Sequence, residues 1–182
     1  MNREEKIEEA EIKNKFPWGA MGIFIVVFIG STFIELFTMD VGLFSGEDTG
    51  TLVTGGIIGL VTGTLIALIG VSIQYIFTKF PVQWISKEKE VYKYDIWTAI
   101  FYSSSIGAVI NILVQQLNYQ ENILASSIVS IISTCLFLFF YFSGSDKKSR
   151  VKRAMIIVQI VWLVIGLGIG IFANHLLTDL MV

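Results

Sequence analysis

Five long apolar runs constrain this chain more than any other feature. They cover Trp18–Thr38, Leu52–Thr78, Ile96–Leu117, Ile123–Phe142 and Ala154–Leu177. At a helical rise of about 1.5 Å per residue, each run is long enough to cross a hydrocarbon layer about 30 Å thick. The chain is 54% hydrophobic and its mean hydropathy is +0.71, too apolar for an ordinary soluble domain. The expected fold is therefore all-α: a polytopic bundle of five transmembrane helices over residues 16–178. Short connections leave no room for a separate soluble domain.

The charges give this bundle a direction. All thirteen Lys and Arg residues fall in three segments that alternate with three segments holding none. Arg3, Lys6, Lys13 and Lys15 lie in the N-terminal tail. Lys79, Lys87, Lys89 and Lys93 follow the second run. Lys147, Lys148, Arg150, Lys152 and Arg153 lie between the fourth and fifth. By the positive-inside rule the N-terminus is expected in the cytoplasm and the C-terminus outside. The outer segments carry only acids: Asp40, Glu47, Asp48, Glu121 and Asp179. The basic residues follow membrane topology and form no groove, which argues against nucleic-acid binding.

Residues 1–15 read as a charged cytoplasmic tail. It is acidic and long, unlike a cleavable leader, so the first span is expected to stay. Pro17 suits the first turn of a helix, and Trp18 suits an interface. Residues 79–95 mix Phe80, Pro81, Trp84 and Tyr92 with lysines. They are expected to lie along the cytoplasmic headgroup zone as an interfacial segment. Trp84, Lys87, Lys89, Lys147, Lys148 and Arg150 are the candidate inner contacts to lipid or a partner. The short connection 118–122 implies a tight hairpin between spans three and four.

Gly55, Gly59 and Gly63 recur every four residues in span two, and Gly166 and Gly170 do so in span five. Without Cβ atoms such faces admit a neighbouring helix, within the bundle or in a homo-oligomer. Ser126, Ser127, Ser130, Ser133 and Thr134 make a similar stripe in span four. Cys135 is alone, matches no metal spacing and is expected to be a small buried hydrophobe. Gln74 and Gln159 are expected to hydrogen-bond between helices.

Glu35 is the sharpest single residue, because a carboxylate within a span is costly unless protonated, paired or hydrated. His175 lies near the outer end of span five; Asn111 and Gln115 lie in the outer part of span three. Glu35, Asn111, Gln115 and His175 form a candidate polar pocket in the outer half of the membrane. One His and one intramembrane carboxylate make a poor zinc set, so no metal is expected, nor any cofactor. No nucleophile–base pattern accompanies Ser103, Ser104 and Ser105, and no enzyme activity is expected.

The five-span layout resembles the Yip family of Rab-interacting membrane proteins, in its bacterial form. The likeness covers residues 16–175. It rests on Phe16-Pro17-Trp18 before span one and on Gly55-Gly56-Ile57-Ile58-Gly59-Leu60 at the start of span two. Phe101-Tyr102-Ser103-Ser104-Ser105 in span three and the basic loop before Trp162 add to it. The resemblance implies a non-enzymatic membrane organiser or adaptor. The chain lacks the acidic Asp-Leu-Tyr-Gly-Pro-like segment of eukaryotic members and the Pro in span three, so Rab binding is not implied. Ile- and Lys-rich usage fits an AT-rich genome, and a bacterial cytoplasmic membrane is the expected location. The alternative expectation is a small-solute or ion-coupled transporter, or a substrate-binding transport subunit, using the outer polar pocket.

Overall fold

A computed structural model of the protein describes residues 16–38, 49–117 and 123–180, with side chains over 16–34, 56–117 and 124–172. Five helices account for nearly all of it: α1 Trp18–Thr38, α2 Thr49–Ser86, α3 Lys93–Gln116, α4 Ile123–Ser143 and α5 Ser149–Leu180. There is no strand among the described residues. Four described stretches, Gly56–Ser86, Lys93–Gln116, Leu124–Ser143 and Ser149–Phe172, are long and apolar enough to cross a membrane; that of α1, Trp18–Ile34, is shorter. The molecule is a multi-pass membrane helix bundle.

Side-chain contacts collect the basic segments at one end. Phe16, just ahead of α1, packs edge-on against Trp97 and Phe101 early in α3, at 5.4 and 5.9 Å between ring centroids. Tyr75, late in α2, stacks on the same Trp97 at 4.2 Å and 11°. Tyr141, at the end of α4, donates its hydroxyl to the Val91 carbonyl at 3.3 Å. Lys147, just before α5, reaches Asp95 at the start of α3. Successive helices therefore run up and down. The start of α1 and the 87–92 and 144–148 connections meet at what we term the basic end.

Helix α3 is central and packs against α1, α2 and α4, while α5 packs against α2 and α4. Small residues put α3 there: Ala99, Ser103, Ser105 and Gly107 all lie on its buried face. Lipid tails are as apolar as the helix faces, so burial of apolar surface does little to drive helices together within the membrane; close van der Waals packing does more. Gly107 is one such approach, where a Cβ would stand 3.3 Å from Ser133 Oγ on α4. Ser105 Oγ donates back to the Phe101 carbonyl at 2.7 Å and Ser103 Oγ to that of Ile100 at 3.2 Å. Those hydroxyls thus meet their donor requirement within their own helix. The tightest core lies towards the basic end, where Val82, Val91, Ile96, Ile100, Phe101, Tyr141, Val151 and Met155 are fully buried.

The glycine stripes make little contact within the bundle. Only Gly63 meets a neighbour, Phe28 Cε1 of α1 at 3.8 Å from its would-be Cβ; Gly59, Gly166 and Gly170 face open space, and Gly55 lies outside the described side chains. Cys135, expected to be buried, is exposed on the outer face of α4. In a bilayer that face is wetted by hydrocarbon, so exposure there carries no hydrophobic cost.

The first part of the expected interfacial segment is helical, because α2 continues through Pro81 to Ser86. A proline has no N–H to give the carbonyl four residues back, here that of Phe77. Trp162 of α5 supplies the missing donor: its indole Nε1 donates to the Phe77 carbonyl at 3.1 Å. Its ring also sits edge-on to the Phe77 ring at 5.3 Å. The proline thus frees a backbone acceptor that ties α2 to α5. The helix ends at Lys87, in left-handed conformation with φ 57°.

Replacing Trp162 with Phe leaves that carbonyl without its donor and should destabilise the protein by about 1–3 kcal/mol. Adding Pro81→Ala restores an intrahelical N–H, so the double variant should recover most of the loss. Thermal unfolding of the four proteins in one lipid particle measures the coupling.

Candidate functional site

Two arrangements of polar groups stand out, one at the basic end and one within the bundle. The first begins at the start of α3. Tyr92 caps the helix in left-handed conformation, φ 55° and ψ 63°, and places Asp95 in the first turn, where the helix dipole favours a carboxylate. Lys147 Nζ lies 2.9 Å from Asp95 Oδ2; the lysine side chain is 0% exposed and the aspartate 9%. Ser145 Oγ donates to the same carboxylate oxygen at 2.7 Å, and Lys147 Nζ donates to the Ser145 carbonyl at 2.8 Å. The ammonium also lies 4.5 Å from the centre of the Tyr141 ring and 5.4 Å from that of Tyr92. Burial pushes the Lys147 ammonium below the usual lysine value, and the Asp95 carboxylate opposes that shift.

Gly144 belongs to this cluster. A Cβ there would lie 2.5–2.9 Å from the Asp95 carboxylate atoms. Its φ is not positive, so the glycine serves close approach and not a special turn. Lys148 then bridges to Glu88 Oε2 at 2.8 Å, exposed, and ties the connection after α4 to the one after α2. Gln83 Nε2 donates to the Lys89 carbonyl at 2.7 Å and folds that second connection onto α2. The two basic connections are thus latched to each other.

Lys147 was expected at an exposed lipid or partner contact and is buried instead. Lys148 is exposed but engaged by Glu88, and Arg150 is exposed. Trp84, 87% exposed, and Lys87 and Lys89 stand free of the latch. With Phe77, Phe80 and Pro81 they line a groove of about 740 Å³ along the end of α2.

The second arrangement is a cavity of about 430 Å³ to which all five helices contribute. Its polar lining comes from Gln74 of α2, Ser103, Ser104 and Asn111 of α3, Ser133 and Thr134 of α4, and Gln159 of α5; Phe24 and Phe28 of α1 close one side. From the basic-end termini of their helices, Gln74, Ser103 and Gln159 all lie about 15–18 Å deep. The apolar stretches begin later, at Thr78, Ile96 and Ala154, so these three residues lie about 6–11 Å inside them. No Asp, Glu, Lys or Arg lines the cavity. Gln159 is only 6% exposed, and its side chain makes no hydrogen bond among the described residues. The Gln159 side chain borders the cavity and the adjoining space between α2 and α5. Gln74 likewise makes no side-chain hydrogen bond there. The interhelical bond expected of these glutamines is not formed, and both border the cavity instead.

The expected outer pocket is only partly placed. Asn111 lines the central cavity, whereas Gln115 does not. Glu35 and His175 lie outside the described side chains. Asp95 and Gln159, the best-defined polar residues of the two sites, were not singled out as site residues by the sequence. A carboxylate at the border of an apolar run was the available signal for Asp95. No group of three metal-binding side chains occurs among the described residues. No protein-family model, curated protein or solved structure matches the chain.

Removing one partner of a buried ion pair strands the other charge. Asp95→Asn should therefore cost about 3–5 kcal/mol, while Asp95→Asn with Lys147→Met should recover much of it. Gly144→Ala should destabilise as well, by forcing the carboxylate off the ammonium. Thermal unfolding in lipid particles reads all three. Unchanged stability in Asp95→Asn would show that the pair does not hold the connections.

Proposed function

We propose that this is a non-enzymatic, five-span protein of a bacterial cell membrane, with its basic end in the cytoplasm, that organises other membrane components. The observation that carries this reading is the latch. The Asp95–Lys147 pair ties the 144–148 connection to the start of α3 and the Lys148–Glu88 bridge ties it to the 87–92 connection, beside which Trp84, Phe80, Lys87 and Lys89 remain exposed. Aromatic rings with adjacent lysines suit the headgroup zone, where they meet anionic lipid and the membrane-proximal parts of other proteins. A pre-ordered surface loses less entropy on binding than a loose loop. The resemblance to the Yip family agrees with an organiser or adaptor.

The cavity favours a second reading, a small-solute transporter or substrate-binding transport subunit. Its volume lies within the range of small-molecule sites. The two readings differ in where a substitution acts.

Purification in native lipid particles, with mass spectrometry of co-purifying proteins, should yield a reproducible partner. Trp84→Ala with Lys87→Gln and Lys89→Gln should lose that partner at unchanged thermal stability. A partner retained by the triple variant, or none with the native chain, would rule out the organiser reading in this form.

A further inference from the structure

A second space adjoins the central cavity. This concavity of about 490 Å³ lies between α2 and α5, lined by Gly70, Ile73, Phe77, Thr78 and Trp162, and by the two glutamines Gln74 and Gln159. Gly70, Gln74 and Gln159 border both spaces. The cavity and the groove are therefore neighbours across one wall made of two amides and a glycine. Ile73 and Phe77 are about half exposed on the bundle surface, within the part of α2 that is apolar enough to span a membrane. The groove thus lies along the apolar stretch of α2, with its basic-end edge at Thr78, next to Lys79.

The two spaces differ in chemistry. The groove is walled by Ile73, Phe77 and the Trp162 ring, which suits a hydrocarbon chain. The cavity offers the Gln159, Gln74 and Asn111 amides, with donors and acceptors together, and the hydroxyls of Ser104 and Ser133. A phosphate, carboxylate or ammonium moved there would lose its hydration without meeting an opposite charge, which is strongly unfavourable. An uncharged hydroxyl- or amide-bearing group would instead exchange water for side-chain partners at little net cost.

We propose that cavity and groove form one binding site for a neutral amphiphile, with an uncharged polyhydroxyl or amide head in the cavity and its hydrocarbon tail between α2 and α5. The ligand enters sideways from the bilayer, past Gly70. This inference rests on reading the cavity as a binding site and is independent of the organiser reading. Gly70 is suited to a portal: a Cβ there would meet nothing within 4 Å. A larger side chain would project into the passage without disturbing a helix contact. The Trp162 indole is held by its bond to the Phe77 carbonyl, so one wall of the groove is fixed before a ligand arrives.

The test uses the full chain in phosphatidylcholine nanodiscs and 1-oleoylglycerol carrying a diazirine in its acyl chain. Photolabelling should concentrate on residues 70–78 of α2 and on α5 around Trp162. Unlabelled 1-oleoylglycerol should displace it, while oleate, lysophosphatidate and free glycerol at equal concentration should not. Gly70→Leu and Gln159→Leu should each lower the displaceable labelling by roughly tenfold, the effect of about one lost hydrogen bond or a blocked passage. Gly70→Leu carries the test if Gln159→Leu does not fold. Displacement by oleate or lysophosphatidate equal to that by the neutral lipid overturns the requirement for an uncharged head. Displacement by free glycerol equal to that by the lipid keeps the cavity as a binding site and overturns the amphiphile. Labelling that no competitor displaces, or that Gly70→Leu leaves unchanged, is general lipid contact and overturns both.

Discussion

The ion pair between Asp95 and Lys147 decides how the basic end of this bundle is built. Both side chains are removed from water, and the pair is surrounded by a serine hydroxyl, a backbone carbonyl and two tyrosine rings. A buried pair is not stabilising by itself, since desolvation opposes the Coulomb attraction. Its value here is geometric. Each charge has one good position, so the start of α3 and the approach to α5 hold a single register. Gly144 is required because the carboxylate stands where a Cβ would be, and Tyr141 closes the cluster from α4 through the Val91 carbonyl.

Away from that end, different forces hold the helices. Within a bilayer, apolar burial gives little net attraction between segments, and packing quality and hydrogen bonds count for more. The Phe16, Trp97, Phe101 and Tyr75 rings join the starts of α1 and α3 to the end of α2. Proline is disfavoured within a helix, yet α2 passes through Pro81. The helix defect becomes an interhelical bond once Trp162 donates to the Phe77 carbonyl. Past the aromatic packing at the basic end, polar side chains line a cavity at the level of Gln159.

The contrast between these regions has a functional meaning. A rigid end with an exposed tryptophan and free lysines suits recognition, whereas a charge-free polar cavity inside apolar walls suits a neutral ligand. Apart from Phe77 the two sites use different residues, so they can be separated by mutation. Lys147, one of five basic residues at and before the start of α5, belongs to neither surface, because its charge is spent on Asp95.

The sequence by itself determined the helical class, four of the long apolar stretches and the alternation of basic and acidic connections. Those features are local: run length, composition and charge between runs suffice to read them. The helix limits were less legible. Lys93, Ser149 and the turns through Pro81 to Ser86 extend the helices beyond their apolar stretches, because a helix continues wherever its backbone bonds are met, lipid or not. Tertiary structure alone decided which lysine is buried, which glycines touch a neighbour, and that Gln74 and Gln159 share a cavity. The Asp95–Lys147 pair is separated by about 50 residues and nothing in the run of five basic residues marks Lys147. Such choices depend on which helices are adjacent and in what rotation, and no local pattern encodes that when every helix is apolar on most of its faces.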